Sequence, residues 1–118
     1  LQREPLPIHG TGMQTRSFCY ISDLVDGIIR LFESSIPEPI NLGNPEEYSI
    51  LQFAQIIQNQ VSGCPQEIHF LPSRQDDPQQ RRPDIEKAKT LLNWSPQVSL
   101  ATGLKATLDS FATEFLCA

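Results

Sequence analysis

The sequence predicts an α/β chain, α+β-like in its small size, with a small sheet and about four helices. Three observations predict it. Short runs with period-2 alternation are interleaved with apolar repeats at helical spacing. The helical repeats carry most of the large apolar side chains. The whole chain, residues 1–118, is 39% hydrophobic and 19% charged, which suits one ordinary globular domain with one core.

Residues 4–9 (EPLPIH) read as an extended segment that Pro5 and Pro7 confine to a sheet edge or loop margin. After the turn Gly10-Thr11-Gly12, residues 15–21 (TRSFCYI) read as a strand with Arg16, Phe18 and Tyr20 on one face. Ser22 or Asp23 can cap a first helix with the apolar face Leu24, Val25, Ile28, Ile29 and Phe32. Ser34, Ser35 and Pro37 stop it, and residues 40–42 form a short strand ending at Gly43-Asn44-Pro45. Ser49 and Gln52 make a capping box for a second helix, in which Ile50, Phe53, Ala54, Ile57 and Val61 recur at helical spacing up to Gly63. Residues 68–71 follow as a strand. Residues 72–83 then lack any large apolar side chain, and a loop of this length is expected to be functional and mobile without a ligand. Asp84 can cap a third helix with Ile85, Ala88, Leu91 and Leu92 inward, closed by Trp94 and Pro96. Ser99 starts a last helix with Leu100, Leu104, Leu108, Phe111 and Phe115 on one stripe.

The net charge of −5 and pI near 4.9 argue against nucleic acid or an anionic membrane as the main partner. There is no stretch of about 18 apolar residues. Cys19, Cys64 and Cys117 are odd in number and form no C-x-x-C pair, so reduced thiols in a cytoplasmic protein are the simpler reading. His9 and His69 lie apart with no ligand spacing around them, so no metal site is expected. The opening, residues 1–7, begins in mid-flow without Met and reads as a piece cut from a longer protein.

Several chemistries have no motif here. There is no glycine-rich dinucleotide turn after a strand, no P-loop and no G-x-S-x-G elbow. Neither Tyr20 nor Tyr48 has a Lys four residues on. No catalytic residue is therefore assigned, and catalysis by this chain alone is not expected.

Arginine in unusual settings remains. Arg16 sits inside a strand among apolar and aromatic neighbours, where it needs an anionic ligand or a structural partner such as Asp23. Arg81 and Arg82 precede a helix start, where guanidinium groups can fork onto phosphate; the plainer reading is a charge run (Arg74, Asp76, Asp77, Arg81, Arg82, Asp84) that neutralises itself. Asp84 reads first as an N-cap and second as a ribose ligand. His9, at a strand end before a glycine turn, is structural or faces a flat ring. Phe18, Tyr20 and Trp94 are most simply core, and Cys19 a small buried residue.

The run G-T-G-M-Q-T-R-S-F-C-Y-I-S-D-L-V-D-G (residues 10–27) resembles the carboxyl-terminal part of the extended short-chain dehydrogenase/reductase family. So do P-x-N-L-G-N-P (39–45), D-D-P-x-x-R-x-P-D-I (76–85), L-x-W-x-P (92–96), Gly103-Leu104 and Thr107, in the family's order and across nearly the whole chain. Within that family the chain looks most like the UDP-glucuronate decarboxylases. The resemblance implies that Arg16 binds the diphosphate of a UDP-sugar, that Arg81 and Asp84 bind phosphate and ribose, that Ile8 and His9 lie along the uracil, and that Gln14 lines the sugar pocket. His9 stands where these decarboxylases usually carry Tyr. The resemblance further implies a homodimeric parent whose amino-terminal Rossmann domain holds NAD and a Ser/Thr, Tyr and Lys set. That domain oxidises C4 of the glucuronate, CO₂ is lost and the hydride returns; this chain would orient the substrate. The resemblance leaves open a 4,6-dehydratase or 4-epimerase of nucleotide sugars. A stand-alone binding module is the reading from another class. The fragment reading predicts an exposed apolar patch, and the module reading a complete polar surface.

Overall fold

A computed structural model describes residues 4–116, with side chains to residue 114. The elements in chain order are β1 (Leu6–His9), β2 (Thr15–Ser17), α1 (Ile21–Glu33), β3 (Glu47–Ser49), α2 (Ile50–Gln60), β4 (Ile68–Leu71), α3 (Glu86–Leu92) and α4 (Leu100–Leu116). Two small sheets result. β1 pairs in parallel with β4, with Leu6 opposite Ile68 and His9 opposite Leu71. β2 pairs antiparallel with β3, with Thr15 opposite Ser49 and Ser17 opposite Glu47.

α2 starts where its capping box says. Ser49 Oγ accepts from the Gln52 amide at 3.1 Å, and Gln52 Oε1 accepts from the Ser49 amide at 2.9 Å. Two more amides of its first turn, Ile50 and Leu51, donate to the carbonyls of Gln14 and Gly12. The start of α2 is therefore fastened to the segment between β1 and β2, which carries Gln14 and leads into Arg16 of β2.

α1 departs from the sequence reading. β2 ends at Ser17, and α1 begins after Tyr20 without a side-chain cap. Asp23 is buried and serves another part of the chain: its Oδ2 accepts from the amides of Gln97 and Val98 at 3.0 and 2.9 Å, while its carbonyl accepts from the Trp94 indole at 2.9 Å. The buried side of α1 is thus Asp23, Gly27 and the neighbouring Leu31, packed toward Trp94 and Leu42. Its apolar stripe turns outward: Ile21, Val25, Ile28, Ile29 and Phe32 are all exposed, Phe32 to 88%. Residues 40–42, expected as a strand, take no ladder partner.

The core is small. Ile85, Ala88, Leu92 and Trp94 form its buried cluster, with Leu31, Ile36, Ile40 and Leu42 around them. Leu91 and Phe111, both expected on inward stripes, are about half exposed. α3 is capped at Ile85 rather than Asp84, and it ends at Asn93 in the left-handed conformation, φ 49°. Phe115 and Cys117 lie outside the side chains described. Among the described residues, no helix is long and apolar enough to cross a membrane, and Cys19 and Cys64 are free thiols.

Candidate functional site

The loop of residues 72–83 follows β4 and runs beside β2, and it brings the predicted polar residues together. It is laced to β2: the Thr15 amide donates to the Gln79 carbonyl at 2.9 Å, Gln80 bridges to Thr15, and Ser17 Oγ donates to the Arg81 carbonyl at 3.3 Å. Glu47 on β3 fastens it further. One carboxylate oxygen accepts from Thr15 Oγ1 and Gln80 Nε2, both at 2.8 Å, the other accepts from Gln80 at 3.0 Å, and Arg82 stands 4.0 Å away. These donors, Gln80 first and then Thr15, hold the Glu47 carboxyl below its ordinary value.

Arg16 is only 20% exposed, and its ion-pair partner is Asp77 of the loop rather than Asp23. One guanidinium amino group donates to Asp77 Oδ1, and the other donates to the Thr15 carbonyl at 2.6 Å. Gln14, buried, donates from its amide to the His9 carbonyl at 2.7 Å and to Asp77 Oδ2 at 3.4 Å. The His9 ring has Pro72 O at 3.1 Å from Nδ1 and Arg74 Nη2 at 3.2 Å from Nε2. Since a guanidinium can only donate, Nε2 is the acceptor and Nδ1–H donates to Pro72. His9, Gln14, Asp77 and Arg16 therefore form one connected network.

Arg16 and Arg81 line a common cleft of about 590 Å³ with Ser17, Gln80, Arg82 and Pro83. Among the described residues Arg81 makes no ion pair, so the loop charges do not simply cancel one another. Asp84 lies in an adjoining hollow of about 310 Å³ that shares Arg82 and Pro83. Its Oδ1 accepts from the Glu86 amide at 3.0 Å, a turn-stabilising role at the start of α3. That helix has seven residues and an acidic first turn, so its N-terminus adds little attraction for an anion beside Arg81 and Arg82.

The sequence alone does not mark Asp77, Glu47 and Gln80 as site residues. The Asp-Asp-Pro run is a visible turn signal, but nothing in its spacing reveals that Asp77 turns toward Arg16. Just beyond the end of β2, Phe18 stacks on Phe53 with ring centroids 4.1 Å apart. Beside them Cys19 and Tyr20, half buried rather than fully core, line an apolar cavity of about 200 Å³ with Leu100 and Leu104. Burial, and after it Asp23, pushes the Cys19 thiol above its ordinary value. Among the described residues no three His, Cys, Asp or Glu side chains gather for a metal ion.

The sequence profile of the family described as GDP-mannose 4,6 dehydratase matches residues 1–107. A curated relative, UDP-glucuronic acid decarboxylase 1 of Danio rerio, is 54% identical over 97% of this chain, which spans 27% of that protein's length. UDP-glucose 4-epimerase of Thermotoga maritima, solved with UDP-glucose, superposes with a TM-score of 0.91 at 29% identity, over 97% of this chain and 37% of its own. UDP-glucuronic acid 4-epimerase of Bacillus cereus, solved with UDP-glucuronic acid and NAD, superposes at 0.84 with 41% identity, over 92% of this chain and 35% of its own.

Proposed function

The chain belongs to the GDP-mannose 4,6 dehydratase family of extended short-chain dehydrogenases/reductases, and from that premise we propose that it supplies the nucleotide-sugar-binding part of a UDP-glucuronate decarboxylase. The observation that carries the reading is the cleft in which Arg16 and Arg81 meet. An acidic protein that gathers three arginines on one cleft, with Arg81 unpaired among the described residues, suits a small polyanion such as a diphosphate. In this reading Arg16 and Arg81 grip the diphosphate, Asp84 meets the ribose, His9 lies along the uracil and Gln14 borders the sugar. Their work is to bind and orient.

Among the described residues, no glycine turn fits the pyrophosphate of NAD. A dinucleotide cradle needs glycines at a strand-to-helix turn that leave room for a pyrophosphate. Here a side chain at Gly10 would meet Ser73 at 2.9 Å, one at Gly12 would meet Ile8 and Leu51 at 3.2 Å, and neither residue opens a helix. We therefore place NAD on the remainder of the parent enzyme. The outward apolar stripe of α1 supports the same division, as a surface that the remainder would cover.

The test is the intact protein supplied with UDP-glucuronate. Release of CO₂ with formation of UDP-xylose supports the reading. Conversion to the C4 epimer alone would instead favour the epimerase activity named for the Bacillus cereus neighbour, and no conversion with no UDP binding would sink both. Arg16→Ala should weaken UDP binding by about ten-fold to a hundred-fold, the usual loss for a charge-assisted hydrogen-bond donor.

A further inference from the structure

Asp77 belongs to no part of the ligand set proposed above, yet it touches two members of it. Its Oδ1 takes a guanidinium hydrogen from Arg16 and its Oδ2 takes an amide hydrogen from Gln14. Gln14 is itself fixed to the His9 carbonyl. We propose that Asp77 is a positioning residue of the phosphate site: from the loop it holds Arg16 and Gln14 in their binding orientation. The inference rests on the reading of Arg16 as a diphosphate ligand.

Three features support it. Arg16 has five N–H groups, and the bonds to Asp77 and Thr15 use two of them, leaving three for a ligand. An arginine held in this way loses less side-chain freedom on binding than one that swings freely. Next, the carboxylate does not form an isolated pair with Arg16. It joins a network running from His9 through Gln14 to Arg16, and that network is partly buried, with Gln14 only 8% exposed. Finally, the backbone is shaped to aim it. Asp76 holds φ at 58°, a left-handed conformation that an L-residue adopts only at some cost, and the turn there points Asp77 inward.

A carboxylate beside a phosphate also repels it, so the sign of the substitution's effect decides the matter. The intact protein would be titrated with UDP and, separately, with uridine, which lacks phosphate. For Asp77→Asn the dissociation constant for UDP should rise about ten-fold, as expected when a charge-assisted bond is lost, while that for uridine stays within about two-fold. Asp76→Val, which cannot hold the left-handed turn cheaply, should reproduce the selective loss. Asp76→Gly should bind UDP as the native protein does. If Asp77→Asn binds UDP equally or more tightly, Asp77 competes with the ligand or plays no part, and the inference fails. Equal losses for UDP and uridine would also overturn it, as a general disturbance. Native protein that does not bind UDP at all would overturn the proposed function itself, an outcome separate from native binding that Asp77→Asn leaves untouched.

Discussion

Gly27 shows how a single atom can decide between two opposed effects. In an exposed helix, Gly→Ala gains about 1 kcal/mol of helix propensity. Here an added Cβ would stand 2.9 Å from Leu42 and 3.0 Å from the ring of Trp94, which is 1% exposed and cannot move aside. Overpacking of this kind costs about 1–3 kcal/mol, so Gly27→Ala should destabilise the protein by about 1 kcal/mol net. Urea denaturation checks it, and a stabilised variant would mean that α1 shifts freely on the core. The residue scale also shows what single positions conceal in a sequence. Trp94 is core, as its size suggests, with its indole nitrogen satisfied by the Asp23 carbonyl. Asp23 itself reads as a capping residue or a partner for Arg16, and it is neither, because its true partners lie more than 70 residues away.

At the scale of elements, legibility follows the range of the interaction. The capping box of α2 was visible because Ser49 and Gln52 are three residues apart and satisfy each other. The apolar stripe of α1 was equally visible, but periodicity says only that a helix has such a face, not what it meets. Residues 40–42 carry strand-like side chains and still form no strand, because a ladder needs a partner. Arg16 and the loop arginines could be picked out by residue type. Their union in one cleft could not, since it depends on how β2, β3 and the loop interlock. Glu47 is the fastening of that assembly, and it gives the attachment a pH dependence. Its folded-state value lies below the unfolded one, so its contribution is complete above the ordinary glutamate range and is lost as the pH falls through the depressed value. Glu47→Gln should therefore lower the urea midpoint at neutral pH, with the difference from native shrinking as the solution is acidified. A difference that persists unchanged in acid would show that the charge of Glu47 is not what holds the loop.

At the scale of the molecule, the chain is a slab. Its extents are 49 × 37 × 21 Å and its radius of gyration is 16.8 Å, against about 13.5 Å for a compact domain of this length. A slab has too little interior for its apolar residues, which is why the stripe of α1 lies in the open. The isolated chain should accordingly self-associate and bind hydrophobic dye, and Phe32→Asp with Ile28→Ser should reduce both. Sedimentation as a clean monomer with no dye signal would count against that surface being a covered one. The Asp23 clamp has a further consequence for how such a chain is made. Its carboxylate is synthesised 74 and 75 residues before the amides of Gln97 and Val98 that it binds. β1 likewise waits for β4. Synthesis proceeds at about 5–20 residues per second, so the first third of the chain spends several seconds outside the ribosome without its partners. That interval is the time in which its apolar side chains are open to unintended contacts.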